Sequence, residues 1–175
     1  MKKLFLSLFL LLGGCAVAPP DGVTPVSGFD LKRYLGQWYE IARLDHPFER
    51  GLSNVSASYS PRDDGGVQVL NRGYDAGTRR WKEAEGRAYF TSEPTVGSLK
   101  VSFFGPFYGG YHIVALDREN YSYAMISGPS RDYLWILARD RQLPLAVLDG
   151  LLQQARALGF ATEQLIMVKQ DRDDA

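Results

Sequence analysis

The sequence predicts an all-β domain, an eight-stranded antiparallel up-and-down β-barrel with a C-terminal α-helix packed outside. Three observations carry this expectation. Segments with alternating side chains recur eight times between residues 36 and 139, and short clusters of Gly, Pro, Asn, Asp and Ser separate most of them. Past Pro144 the apolar spacing changes from that of a strand to that of a helix. Eight antiparallel strands on short turns close most simply on themselves, because closure removes the unpaired edges of an open sheet. A barrel of that size can hold one small ligand.

In chain order, Lys2 and Lys3 precede an apolar run over residues 4–12, which meets Gly13-Gly14-Cys15. A charged start, an apolar centre too short to span a bilayer and small residues at its end make residues 1–14 an export signal peptide. Cys15 is the single cysteine, so no intrachain disulfide forms, and an unpaired cysteine in an exported chain calls for another role. Residues 15–27 carry Pro19, Pro20 and Pro25 with no period, and read as an extended tether.

Residues 28–170 then have the length of one domain. Hydrophobic residues make up 45% of the chain and charged residues 23%, which excludes a disordered polymer. Its 20 basic residues balance 20 acidic ones, and without the leader lysines the balance is slightly acidic. That argues against a nucleic-acid partner, which would demand a basic face.

Residues 30–35 read as a helical turn that delivers the chain to Gly36, where a tight turn starts the first strand and Trp38 plugs the barrel end. Further strands are expected at 54–60, 67–74, 81–91, 98–104, 111–117, 121–127 and 133–139, with hairpin connections at 61–66, 75–78, 105–110, 117–120 and 128–132. In the helix, Leu145, Leu148, Leu152, Ala155 and Leu158 share a face and Gly159 stops it. Residues 165–168 read as a last short strand, and 171–175 as a solvated tail.

Gly36-Gln37-Trp38-Tyr39, continued by Glu40-Ile41-Ala42-Arg43, resembles the first signature of the lipocalins, in the branch that holds bacterial outer-membrane lipocalins and apolipoprotein D. Asp117-Arg118-Glu119-Asn120-Tyr121 stands where that family carries its second signature, as a weaker match. Leu134-Trp135-Ile136-Leu137-Ala138-Arg139 is similar to the third, and the resemblance implies that the Arg139 guanidinium packs across Trp38. Gly36, Trp38 and Arg139 are therefore structural on this reading. Residues 43–51 resemble the long first loop that overhangs the barrel mouth. Leu12-Gly13-Gly14-Cys15 resembles the bacterial lipobox, which implies lipidation at Cys15, and Ala16 in place of Asp implies the outer membrane, with the barrel facing the periplasm.

If Trp38 points inward, alternation turns Glu40 and Ala42 inward as well. The apolar parity of the other strands selects Ala57, Tyr59, Val69, Ala88, Phe90, Val101, Phe103, Tyr111, Ile113, Met125 and Trp135 as the lining, and Tyr108 in the 105–110 loop is a candidate at the mouth. Small residues at Ala57, Gly86 and Ala88 beside large aromatics suggest open space. The expected ligand is a fatty acid or lysophospholipid. A barrel packed solid, acting as a structural protein-interaction module of the envelope, is the alternative.

No arrangement for catalysis, cofactor or metal is found. His46 and His112 are not spaced as ligands or as a base beside a serine, and both are expected at the surface. Oligomeric state stays open, a homodimer included.

Overall fold

The structure is a computed structural model that describes residues 17–172. The signal peptide, Cys15 and the last tail residues lie outside the described residues. Strands β1 (Gly36–Arg43), β2 (Leu52–Pro61), β3 (Val67–Asp75), β4 (Arg80–Phe90), β5 (Ser98–Phe104), β6 (Phe107–Leu116), β7 (Tyr123–Ser127) and β8 (Leu134–Ala138) pair in sequence order. β1 then pairs with both β8 and β2, so the eight strands close into an antiparallel barrel. A short helix α1 (Leu31–Tyr34) precedes the barrel; helix α2 (Leu145–Ala157) and strand β9 (Ile166–Met167) follow it. β9 pairs with Ala42 and Arg43 on the upper half of β1.

Two cores result. Trp38, Tyr59, Val69, Ala88, Leu99, Ile113 and Leu137 belong to the barrel interior. Outside it, Ile41, Ala42, Val114, Met125, Leu134 and Ile136 pack beneath Leu148, Leu151 and Ala155 of α2. The buried helix face is turned from the expected one: Leu145 is 77% exposed and Leu151 is buried. Adjacent leucines at 151 and 152 satisfy the helical period equally well, and contact with the barrel decides between them. Gly159, with φ +84°, ends the helix as expected.

The end closed by Trp38 is a polar cage around one indole. Trp38 is fully buried and its Nε1 donates to the Tyr34 carbonyl at 2.8 Å. Arg139 lies 4.0 Å over the ring centroid and donates to the carbonyls of Gln37 at 2.8 Å and Arg33 at 2.7 Å. Gly36 sits beneath that guanidinium with φ +94°, a conformation that suits glycine.

The residues before the barrel are held more firmly than a free tether. Val26 donates to the Ile113 carbonyl and accepts from Gly97, both at 2.8 Å, and Val23 is buried in the outer core. The expectation of an extended tether took no account of its valines, which can cover an apolar sheet face, nor of the turn that Val23 closes by donating to the Pro20 carbonyl. The tail is similarly fastened: Gln170 donates to the carbonyls of Glu40 and Val55, and Asp171 accepts from Asn54.

Candidate functional site: the barrel interior

Antiparallel alternation puts the connections after β1, β3, β5 and β7 at one end of the barrel, opposite the Trp38 end. Between the two ends the inward residues form three levels.

At the floor stand three phenols. Tyr111 Oη lies 2.8 Å from Tyr34 Oη and 2.9 Å from Tyr59 Oη. Burial is the main reason that all three are pushed well above the ordinary phenol range, so all are neutral. Three hydroxyl protons serve two links, which leaves one O–H that the other two phenols do not use.

The walls are apolar. Tyr59, Val69, Ala88 and Ile113 are buried in the interior core. Ala57, Phe90, Val101, Phe103, Tyr111 and Trp135 also pack on that core but keep accessible surface. These inward side chains therefore keep surface that solvent reaches. Not every small residue leaves a gap: a Cβ at Gly86 would meet the Phe103 ring at 2.8 Å, so that ring fills the place expected to be empty.

The upper level is charged, and sequence parity reached only Glu40 of it. A bulge between Glu40 and Ala42 shifts β1 against β8, so that Glu40 faces Leu137 and Arg43 faces Trp135. The bulge returns Arg43 to the interior side while Ala42 turns to the outer core, contrary to strict alternation. Arg43 Nη1 then donates to Glu40 Oε1 at 2.7 Å, with both side chains almost fully buried. Its Nη2 donates to the carbonyls of Glu49 at 2.9 Å and Leu52 at 3.2 Å, which folds the 44–51 loop over the mouth.

Glu49 reaches back into this cluster. Its Oε2 accepts from Trp135 Nε1 at 3.1 Å and lies 2.9 Å from His46 Nε2. Glu40 is pushed up, first by burial and then by the neighbouring Glu49 carboxylate, whereas for Glu49 burial acts upward too but is outweighed by the contacts with His46 and Trp135, which hold it below its usual range. Of these two neighbouring carboxyls, Glu40 is therefore the one that holds a proton more tightly than usual and Glu49 the one that holds it less tightly. His46, expected at the surface, is thus 3% exposed, and its neighbours explain why: it packs edge-on against Trp135 at 5.1 Å.

Three further expectations are corrected. Met125 is fully buried, but in the outer core beneath α2, while Ala124 and Ile126 face inward. Strand β7 lies between two cores, so both of its faces are apolar and parity cannot be read. Tyr108 is no mouth residue, because β6 begins at Phe107 and Tyr108 therefore takes the face opposite to inward Tyr111. It packs on the outside, 6.4 Å from Tyr89 and under Lys100. His112 is fully buried on the outer face of β6, where its Nδ1 lies 3.0 Å from Ser98 Oγ. Burial pushes its pKa down, so it is neutral.

Among the described residues no cluster of His, Cys, Asp and Glu is fit for a metal, and no helix is long and apolar enough to cross a membrane. A cleft of about 450 Å³ lies outside the barrel, between α2 and β6, and is lined by Ala115, Tyr123, Val147 and Gly150. It is open to solvent on its outer side.

Closed barrel, apolar walls and polar ends together define a protein that binds small hydrophobic molecules. The chain belongs to the family with a lipocalin-like domain, whose model matches residues 29–170. It is 55% identical over 171 residues to the outer membrane lipoprotein Blc of Vibrio cholerae, a match spanning 97% of this chain and 99% of that one. The outer membrane lipoprotein Blc of Escherichia coli K12 is 54% identical, across 93% and 91% of the two chains. Apolipoprotein D of Macaca fascicularis is 36% identical, across 80% and 74%. Among solved structures, insecticyanin of the tobacco hornworm Manduca sexta superposes with a TM-score of 0.69 at 25% identity, covering 90% of this chain and 88% of that one.

Proposed function

We propose that this lipocalin is anchored in the outer membrane through lipidated Cys15, faces the periplasm, and binds one fatty acid or lysophospholipid to store or transport it in the cell envelope. The observation that carries the reading is the accessible apolar surface of Val101, Phe103 and Trp135 inside the barrel. An acyl chain matches such a wall, since each methylene taken from water contributes about 0.8 kcal/mol. The charged level at Arg43, Glu40 and Glu49 supports a polar head group at the mouth, and the work is binding rather than catalysis.

The outer-membrane placement draws on the relatives, whose names call them outer membrane lipoproteins, and on the Leu12-Gly13-Gly14-Cys15 sequence. The Phe103 ring across Gly86 favours the second reading, a solid barrel that serves as a protein-interaction module.

One preparation tests both halves. Protein purified from membranes without added lipid should show, after denaturation, a chain that begins at Cys15 with covalent acyl groups. Under native conditions it should carry one further noncovalent acyl species. An unacylated chain contradicts the anchor; a bare folded barrel favours the solid module.

A further inference from the structure

We infer that the open end of the barrel docks directly on an anionic phospholipid bilayer, through exposed aromatic residues on two of its connections. Phe48, on the loop between β1 and β2, is 72% exposed, and Phe104 and Phe107, flanking the β5–β6 turn, are 73% and 66% exposed. All three stand at the same end, because connections after β1 and β5 share it. Large aromatics that remain in water at the mouth fit a partner whose interface accepts rings.

Two independent observations identify the partner as a bilayer. The first is where the chain leads. Val17 lies against β6, its carbonyl oxygen 3.0 Å from where a Cβ at Gly110 would stand. Gly110 is three strand residues, about 10 Å, from Phe107 at the hairpin tip. Cys15 is two residues upstream of Val17, within about 7 Å by covalent geometry. A lipid on Cys15 would therefore enter the membrane beside this hairpin, which brings the open end against the same surface.

The second is charge. At this end Arg50 is paired with Asp45, and Lys82 with Asp75, while Asp132 is bonded to Ser130 and Arg131 holds backbone carbonyls. On the β3–β4 hairpin Glu83 is paired with Arg72 and Glu85 stands further from the tip, so that Arg79 and Arg80, exposed at the tip itself, make the tip basic. A single aromatic or charged contact binds a membrane weakly, but combined with an anchor it fixes orientation. An acyl ligand could then pass between bilayer and barrel without crossing water. The inference rests on the lipid-binding reading for its purpose, and on Cys15 for its geometry, but its test needs neither.

The test uses the chain from residue 15 onward with Cys15→Ser, which contains every described residue and has no lipid of its own. It is floated with vesicles of phosphatidylethanolamine and phosphatidylglycerol, and with vesicles of neutral phosphatidylcholine. Binding to the anionic vesicles is expected, weakening with salt. Phe104→Ser with Phe107→Ser, and separately Phe48→Ser, should each reduce the bound fraction about tenfold, and Arg79→Ser with Arg80→Ser should act only on anionic vesicles.

Fatty-acid titration of the same variants separates docking from ligand binding, and should be unchanged. Absence of binding by the folded parent chain, or equal binding by the aromatic variants, overturns the inference. So does sedimentation showing that these phenylalanines hold two copies together in solution, since the occupant would then be a second chain.

Discussion

Arg139 and Trp38 meet as a guanidinium over an indole, 4.0 Å from the ring centroid, while the same guanidinium donates to the carbonyls of Arg33, Gln37 and Tyr121 and so ties three other backbone segments to the end of β8. Trp38→Ala should cost about 3 to 5 kcal/mol in urea unfolding, as a large buried truncation. Arg139→Ala should cost less, and the double variant should lose less than the two added together. Strict additivity would mean that the ring and the guanidinium do not interact. At the mouth the opposite shifts of Glu40 and Glu49 make a different expectation. Glu40 has a native pKa raised above its unfolded value, so the native state holds the extra proton; the stability it contributes is present below the unfolded pKa and lost as pH rises through the native one. Glu49 is shifted the opposite way and loses its contribution as pH falls. Glu40→Gln should therefore flatten the alkaline limb of a stability-against-pH curve while leaving the acidic limb. A curve unchanged on the alkaline side would place the proton elsewhere. The first pair was legible in the sequence, as spacing within a signature. The second was not, since a one-residue bulge is invisible to an alternating pattern and it is the bulge that brings Arg43 beside Glu40.

Strand β7 and helix α2 show why elements were legible and their faces were not. Turn clusters and the change of period located all eight barrel strands and the helix to within a few residues. Facing, however, is read from contrast between polar and apolar sides, and β7 has none where the barrel core and the helix core cover it from both sides. Met125 was accordingly placed on the wrong face. Its true position changes what a charge there should do: Met125→Asp puts a carboxylate between α2 and the barrel, far from the interior. It should lower stability by at least about 3 kcal/mol and loosen α2 in hydrogen exchange, with the ligand affinity of the remaining folded protein unaffected. Weaker binding at full stability would return Met125 to the interior. The same reasoning covers His112, whose outward parity suggested solvent although the segment before the barrel lies over that face.

Across the whole molecule, a closed barrel keeps an apolar, accessible interior between a phenol floor and a charged mouth, the space that the proposed acyl ligand would fill. The general architecture follows from alternation and turns; the two polar ends came only from tertiary placement, because Tyr34, Tyr59 and Tyr111 are far apart in sequence, and Glu49 comes from a loop. Trp135 stands in that interior, bonded to Glu49, and reports on its filling. The most direct measurement is a tryptophan-emission titration of the folded protein with fatty acids and lysophospholipids of increasing chain length, repeated in Trp135→Phe, whose remaining signal from Trp38 and Trp81 is subtracted to isolate that of Trp135. Emission should change saturably, and affinity should climb with each methylene, by at most about 0.8 kcal/mol, until the cavity is full and then level off. No saturable change at any chain length, with the fold intact, would contradict the account and leave the barrel a solid module.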